Sequence, residues 1–424
     1  MSAFAKPIER IINNSLIKYL LSNGFISHQQ HAYINGRSTL SNLLYTLNVV
    51  VDTKDKSGYT DIVYLDLRKA FNSISHRKLL IFLCNMGIEG KLFAWIRSFL
   101  SQRRQRVIVD NNFSHWSYVT SGVPQGSIIG PILFLIYIEG LFKILLKSKI
   151  LAYADDTKIF FSWPKGSHDN SLQSDLDRIH SWAEDVQLTI ALNKCFVIRI
   201  GYPAFNSRYV LGNSMLTFVE DINDLGITIS NDLKVSKHIG KIIKKANQAV
   251  HFLVSRFISK DRNILLALYT TYIRPILEYN SEAWNPMLIK DINALESVQR
   301  NFTRRIDGLH DLSYSERLIT LSLPTLKFRR KIRDLVCVYR ILNGFTILNP
   351  YDFFTLRHDI TMRPNRGNSL TLVTGKFRLT QTKYFFKNRV VPWWNALNDF
   401  IVKSSSISSF KNRCENFYEY EKYF

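Results

Sequence analysis

Two short apolar runs flank an acidic pair in ILAYADDTKIFF (150–161), and no other stretch constrains the fold as tightly. Each run has the length and character of a strand, and the short residues between them suit a tight turn. The pattern predicts a β-hairpin with Asp155 and Asp156 at its tip. A further strand pattern, DIVYLD, delivers Asp66 to its end, 89 positions before Asp155. Carboxylates presented at the ends of neighbouring strands can bind two Mg²⁺ ions. One ion lowers the pKa of an attacking hydroxyl and the other steadies a pyrophosphate leaving group. An acidic hairpin tip is also an ordinary surface feature, so its meaning depends on its surroundings.

Those surroundings are globular. Hydrophobic residues make up 46% and charged residues 21% of 424, which excludes a wholly disordered chain. Cys84, Cys195, Cys337 and Cys414 lie far apart with no C-x-x-C pair, so a disulfide framework and a cysteine-rich zinc module are not expected. The longest apolar run, Ile128–Ile138, is broken by Gly130 and Pro131. It falls short of the roughly 20 residues a bilayer span needs, and the first residues lack the apolar core of a secretory signal. His28 and His31 have no third ligand nearby, and neither G-x-x-x-x-G-K-[ST] nor G-x-G-x-x-G occurs.

Charge says more. The net charge is +22, and residues 231–424 hold 32 basic against 16 acidic residues. A polyanionic partner follows, with nucleic acid ahead of a membrane because no lipidation motif is present. Basic and aromatic residues interleave in KFRLTQTKYFFKNRVVPWW (376–394), where rings can stack on bases or belong to a core. Strand and helix patterns alternate from Ile8 to about Ser230, and helical patterns dominate from about Val235 to Leu342. Beyond Asn343 come loop signals, among them RPNRGNS (363–369), and a helix is expected near 408–419.

Six ordered segments resemble the reverse transcriptases of non-LTR retrotransposons, the LINE-type and especially the jockey-like elements. QHAYINGRSTLSNLL (30–44) is similar to the fingers motif around G-R-S-T, and VYLDLRKAFNSISHRKLL (63–80) to motif A. SGVPQGSIIGPILFLIYI (121–138) is similar to motif B, YADD (153–156) to motif C, LNKCFVI (192–198) to motif D and LGITI (225–229) to motif E. YIRPILEYNSEAWNP (272–286), LESVQRNFTRRI (295–306) and NRVVPWWNAL (388–397) resemble the family's thumb and C-terminal segments.

The resemblance implies an α+β right-hand polymerase: an antiparallel palm sheet with helices and partial fingers over 1–230, a helical thumb over 231–345, and a basic C-terminal region over 346–424. It implies RNA-templated extension of a DNA 3′ end from dNTPs, with RNA template and DNA primer or target as partners, and two Mg²⁺ ions, or Mn²⁺, as cofactor. Asp66, Asp155 and Asp156 are the implied metal-binding carboxylates, with the Leu67 carbonyl as a further ligand. Lys194 is the implied general acid for pyrophosphate. Arg37 is expected on triphosphate, and Phe71 beneath the sugar, excluding a 2′-OH. Ala70, Gln125, Gly126 and Tyr153 complete the implied nucleotide site. Departures are Ile34 and Asn35, where family members often carry basic residues, and Asn72 in place of a frequent Asp. The chain is expected to begin after the first fingers motif and an upstream endonuclease, and the family's way of life implies a nuclear protein. The alternative is a remnant that binds nucleic acid without polymerising.

Overall fold

The computed structural model describes residues 5–203, 207–257, 259, 261–360 and 368–424. Most of the loop expected at 363–369 lies outside them. The chain divides into two compact units, residues 1–42 with 58–219, and residues 43–57 with 220–424.

The first unit is built on a five-stranded sheet. In chain order its strands are β1 (Tyr59–Leu65), β2 (Lys149–Tyr153), β3 (Asp156–Trp163), β4 (Phe196–Ile200) and β5 (Thr217–Val219). Their spatial order is β5-β4-β1-β3-β2. Central β1 is buried along all its length except Tyr64, as a strand covered on both faces must be. It pairs antiparallel with β3 from Tyr59↔Trp163 to Leu65↔Thr157, and with β4 through Ile62↔Ile198. The expected all-antiparallel sheet needs one correction: edge strand β5 runs parallel to β4. Residues 201–216 between them are long enough for the crossover that a parallel pair requires.

Helices of this unit include α1 (Ala5–Ser22), α2 (His76–Asn85), α3 (Gly130–Ile138) and α4 (Ser171–Asp185). The long apolar run becomes α3, which is buried on every side except at Pro131. At its entry the Ser127 hydroxyl accepts the Gly130 N–H at 3.0 Å, and the buried Glu9 carboxylate of α1 takes the N–H of Ile128, two residues before the helix, at 2.7 Å. Among the described residues no helix is long and apolar enough to cross a membrane.

In the second unit, the part from residue 220 onward begins with the hairpin Asp221–Asp224/Ile227–Ser230 and continues as helices. They include α5 (Ser236–Arg256), α6 (Ile289–Thr303), α7 (Leu326–Leu342) and α8 (Ile407–Phe417). Residues 231–345 and 346–424, read separately from the sequence, share this unit. One reason is an aromatic contact between α7 and α8, where Tyr339 stacks on Phe410 at 4.3 Å. In the basic-aromatic stretch 376–394, Phe385, Phe386 and Trp394 are buried. Its cations Lys387 and Arg389 are paired to Asp52 and Asp334. Much of that stretch is core rather than a stacking platform.

Candidate active site

The hairpin forms where the sequence puts it. Tyr153 pairs with Asp156, so Ala154 and Asp155 make a two-residue turn. Asp155 is therefore in the tip, while Asp156 is the exposed first residue of β3. Ala154 has φ +57°, a conformation that L-residues rarely adopt. What holds it is Gln30, a buried residue of the fingers motif that sequence reasoning passed over. Its Oε1 accepts the N–H groups of Ala154 at 3.0 Å and Ala32 at 2.9 Å, and its Nε2 donates to the Ala154 carbonyl at 3.4 Å. Alongside, the His31 N–H donates to the Ala152 carbonyl and the Ala152 N–H to that of Gln29, extending the sheet beyond β2.

Asp66 follows the last residue of β1. The paired register of β1 with β3 ends at Leu65↔Thr157, and Asp66 and Asp156 are the next residues of the two strands beyond it. Burial, with a further contribution from the Asp66 charge, pushes the Asp155 carboxyl above the usual range. Asp155 in turn helps burial to raise the Tyr33 phenol. On the far side of β1, the Arg68 N–H donates to Thr189 O and the Ala191 N–H to Asp66 O, each at 2.8 Å. These bonds flank Leu67, so in an antiparallel pair its own carbonyl faces away from them, toward the hairpin. The ammonium of Lys194 lies 3.4 Å from Asp66, in an ion pair exposed enough to be weak.

Motifs A and B are laced together. The Val123 N–H donates to Phe71 O at 2.9 Å and the Gly122 N–H to Ile74 O at 2.8 Å. Gly122 has φ +80°, and a Cβ there would stand 2.7 Å from the Asn72 Cα, so glycine is required. Asn72 accepts from Gln125 Nε2 at 3.2 Å through its Oδ1, which orients the glutamine. Gly126, at φ +78°, is exposed, and the space its Cβ would take is open. Phe71 is half-buried and stacks on Phe134 of α3 at 4.3 Å.

Two residues of the implied nucleotide site are engaged within the protein. The Ala70 side chain is buried, because the short helical turn Ala70–Asn72 tucks it into the core, so it presents no side-chain surface to a nucleotide. Arg37 is drawn into its own loop, where Nη1 donates to the carbonyls of Ser27 and Gln30, both at 2.6 Å. Tyr153 stays half-buried beside the turn.

Among the described residues no three of His, Cys, Asp and Glu form a group that could hold a metal ion. The Asp66 charge nevertheless acts on Asp155, so two carboxylates, the donor chemistry that a hard divalent cation takes, share one electrostatic site. Mg²⁺ commonly takes one or two carboxylates and completes its shell with phosphate oxygens and water.

Behind the Arg37 loop, buried Glu139 accepts the Ser27 N–H at 3.0 Å. Burial pushes its carboxyl up to about 7, against the smaller opposing effects of that hydrogen bond, Lys143 and Arg37. The native state thus keeps a proton that the unfolded chain releases near 4.5. The resulting stabilisation is present below pH 4.5 and is lost as pH rises to about 7, a swing of about 3 kcal/mol. Nearby His31, lowered to about 3 by burial and then Arg37 and Lys158, acts oppositely, losing stability as pH falls from 6.5. Glu139→Gln should remove the first effect alone. Denaturant titrations of both proteins from pH 4.5 to 7.5 should give a difference that shrinks or reverses as pH rises. Parallel curves would contradict the assignment.

Comparison with known proteins adds three findings. The family model described as reverse transcriptase (RNA-dependent DNA polymerase) matches residues 1–253. Similar curated proteins include the RNA-directed DNA polymerases from mobile element jockey of Drosophila funebris and Drosophila melanogaster. The first is 23% identical over 80% of this chain and 38% of its own length, the second 25% identical over 73% and 35%. The probable RNA-directed DNA polymerase from transposon X-element of Drosophila melanogaster is 23% identical over 73% of this chain and 35% of its own length. The chain thus spans little more than a third of these relatives. Among solved structures, telomerase from Candida albicans in complex with a fragment of telomeric RNA matches with a TM-score of 0.44 and 12% identity, covering 82% of this chain and 52% of the telomerase.

Proposed function

Because this chain belongs to the reverse transcriptase family, matching its model over residues 1–253, we propose that it extends a DNA 3′ end on an RNA template. The observation that carries the reading is that Asp66, just past the end of a strand, and Asp155, in a hairpin tip, are two like charges close enough to act on each other. The names of the jockey and X-element relatives support an RNA template and a transposon origin.

In this reading Asp66 and Asp155, with the Leu67 carbonyl and the adjacent Asp156, hold Mg²⁺. The metal, when bound, supplies an activated 3′-hydroxyl and charge neutralisation for departing pyrophosphate. The chain's own residues do the positioning. Gln30 holds the strained turn so that Asp155 meets Asp66. Asn72 aims Gln125 beside the open space at Gly126, where backbone and nucleotide can approach closely. Lys194 shares Asp66 as counter-ion and is the proposed proton donor to pyrophosphate. Primer extension on poly(rA)/oligo(dT) with dTTP and Mg²⁺ tests the proposal. Extension that stops with EDTA supports it, and RNA binding with no extension refutes it.

Phe71 is the proposed sugar gate, and its stacking on Phe134 makes it a packing residue as well. Phe71→Val should raise rNTP relative to dNTP incorporation by roughly five- to 150-fold, the equivalent of ~1–3 kcal/mol of overlap relieved. It should also cost about 0.5–1.5 kcal/mol of stability from the lost ring pair. A lower melting point with an unchanged incorporation ratio would return Phe71 to the core alone.

A further inference from the structure

Between motifs A and B the chain leaves the core as a two-stranded ribbon. Arg104–Gln105 pair with Ser117–Tyr118, and Ile108–Val109 with Asn112–Phe113. The end is a two-residue turn with φ +47° at Asp110 and +65° at Asn111, the primed geometry that matches strand twist. All eight strand residues are exposed. Val107, Ile108, Val109, Phe113, Trp116 and Tyr118 are each more than half exposed. A bare ribbon of this size is marginal in water, and apolar surface gathered on it marks a place that something else covers.

The occupant's chemistry is written in the cations. Arg104 lies over the Tyr118 ring at 4.8 Å and donates from Nη2 to its hydroxyl at 2.8 Å. Arg106 lies over Phe113 at 4.2 Å and over Trp116 at 4.8 Å. Arg103 adds a third positive charge, against Asp110 alone at the tip. Guanidinium planes held on ring faces are partly ordered before binding, which reduces the entropy lost when a ligand arrives. Such pairs suit a ligand carrying both phosphate and unstacked bases, because a duplex hides its base faces. The outgoing strand reaches Ser121–Gly126 within three residues, after the Val119 N–H donates to Arg103 O at 2.9 Å. A strand held on the ribbon therefore belongs to the same unit as the loop assigned to the nucleotide.

We propose that the ribbon 103–119 is a binding surface for single-stranded RNA, with Arg104 and Arg106 on phosphates and Trp116 as a stacking platform. The identity of the strand as template rests on the polymerase reading above; the binding does not.

The test is fluorescence anisotropy of the full chain with a labelled, unstructured 15-nucleotide RNA in EDTA, across a salt series. Arg104→Ala/Arg106→Ala should weaken binding at least tenfold and make the log–log salt slope shallower by about one to two, since each phosphate neutralised on a single strand contributes ~0.7. Trp116→Ala should weaken binding roughly five- to 150-fold at an unchanged slope, the signature of a lost stack rather than a lost charge. Because the ribbon is solvent-exposed, melting temperatures should match wild type. Arg104→Lys/Arg106→Lys, which keeps both charges, should restore the slope. Wild-type affinity in both alanine variants overturns the proposal, as does a duplex of equal length competing as well as the single strand. RNA binding that depends on the ribbon without primer extension would instead overturn the polymerase reading and leave this one standing.

Discussion

Asp155→Asn should abolish primer extension, by about a thousandfold or more, while RNA binding and folding persist. Loss of a Lewis acid is worth several kcal/mol in the transition state, and each ~1.4 kcal/mol is tenfold in rate. Asparagine keeps the shape and tolerates turn conformations, so the two-residue turn clamped by Gln30 should survive. It also removes one of two like charges, since the Asp66 carboxylate raises the Asp155 carboxyl. Thermal stability should therefore hold or rise slightly. Activity lost with stability retained is what separates a metal ligand from a packing residue. Asp66→Asn should behave alike, and Asp156→Asn tests whether the exposed neighbour is a ligand too. Extension at the wild-type rate by Asp155→Asn would refute the metal assignment, and a large fall in melting temperature would give Asp155 a structural role.

Arg199→Ala should destabilise the first unit by about 3–5 kcal/mol, the largest stability effect expected of any single substitution named here. Its partner Asp61 lies in central β1, directly opposite Arg199 in the register, and is fully buried. The carboxylate accepts from Arg199 Nε at 2.7 Å and Nη2 at 2.6 Å, and from the Tyr209 hydroxyl at 2.7 Å. The guanidinium also lies over Phe218 at 4.7 Å. With arginine removed, the carboxylate remains in the core without its counter-charge. Tyr209→Phe removes one hydrogen bond to a charged group and should cost less, about 1.5–3 kcal/mol. Asp61→Leu/Arg199→Met removes both charges at once and should recover much of the loss. Chemical denaturation of the four proteins measures the series. A double variant no more stable than Arg199→Ala would mean that packing around the arginine, rather than an orphaned carboxylate, accounts for its effect.

The Asp155 hairpin could be read from residues 150–161 because both strands and their turn are local: period, length and turn chemistry all lie within twelve residues. The same holds for Asp66 at the end of β1 and for the helices α5 and α8, whose periodicity or position was apparent. Helix α8 lies within two residues of the bounds expected for it, 408–419. Arg37 and Ala70 show what such reading leaves open. Residue type and motif position say that an arginine can grip phosphate, but not that two carbonyls ten and seven residues back already hold it.

What folding alone decided are contacts between distant segments. Gln30 reaches Ala154 across 124 residues, Asn72 reaches Gln125 across 53, and Asp61 reaches Arg199 across 138. No local pattern marks a glutamine that will brace a strained turn, or an aspartate whose partner lies three strands later in the chain. Burial is decided in the same way. The stretch 376–394 and the ribbon 103–119 both mix cations with rings, yet the first buries half of its aromatic residues while the second exposes its own. Composition describes what a segment can contact, whereas water is excluded only by whatever the rest of the chain packs against it. A side chain's exposure is therefore a property of the whole fold, even where its strand or helix is local.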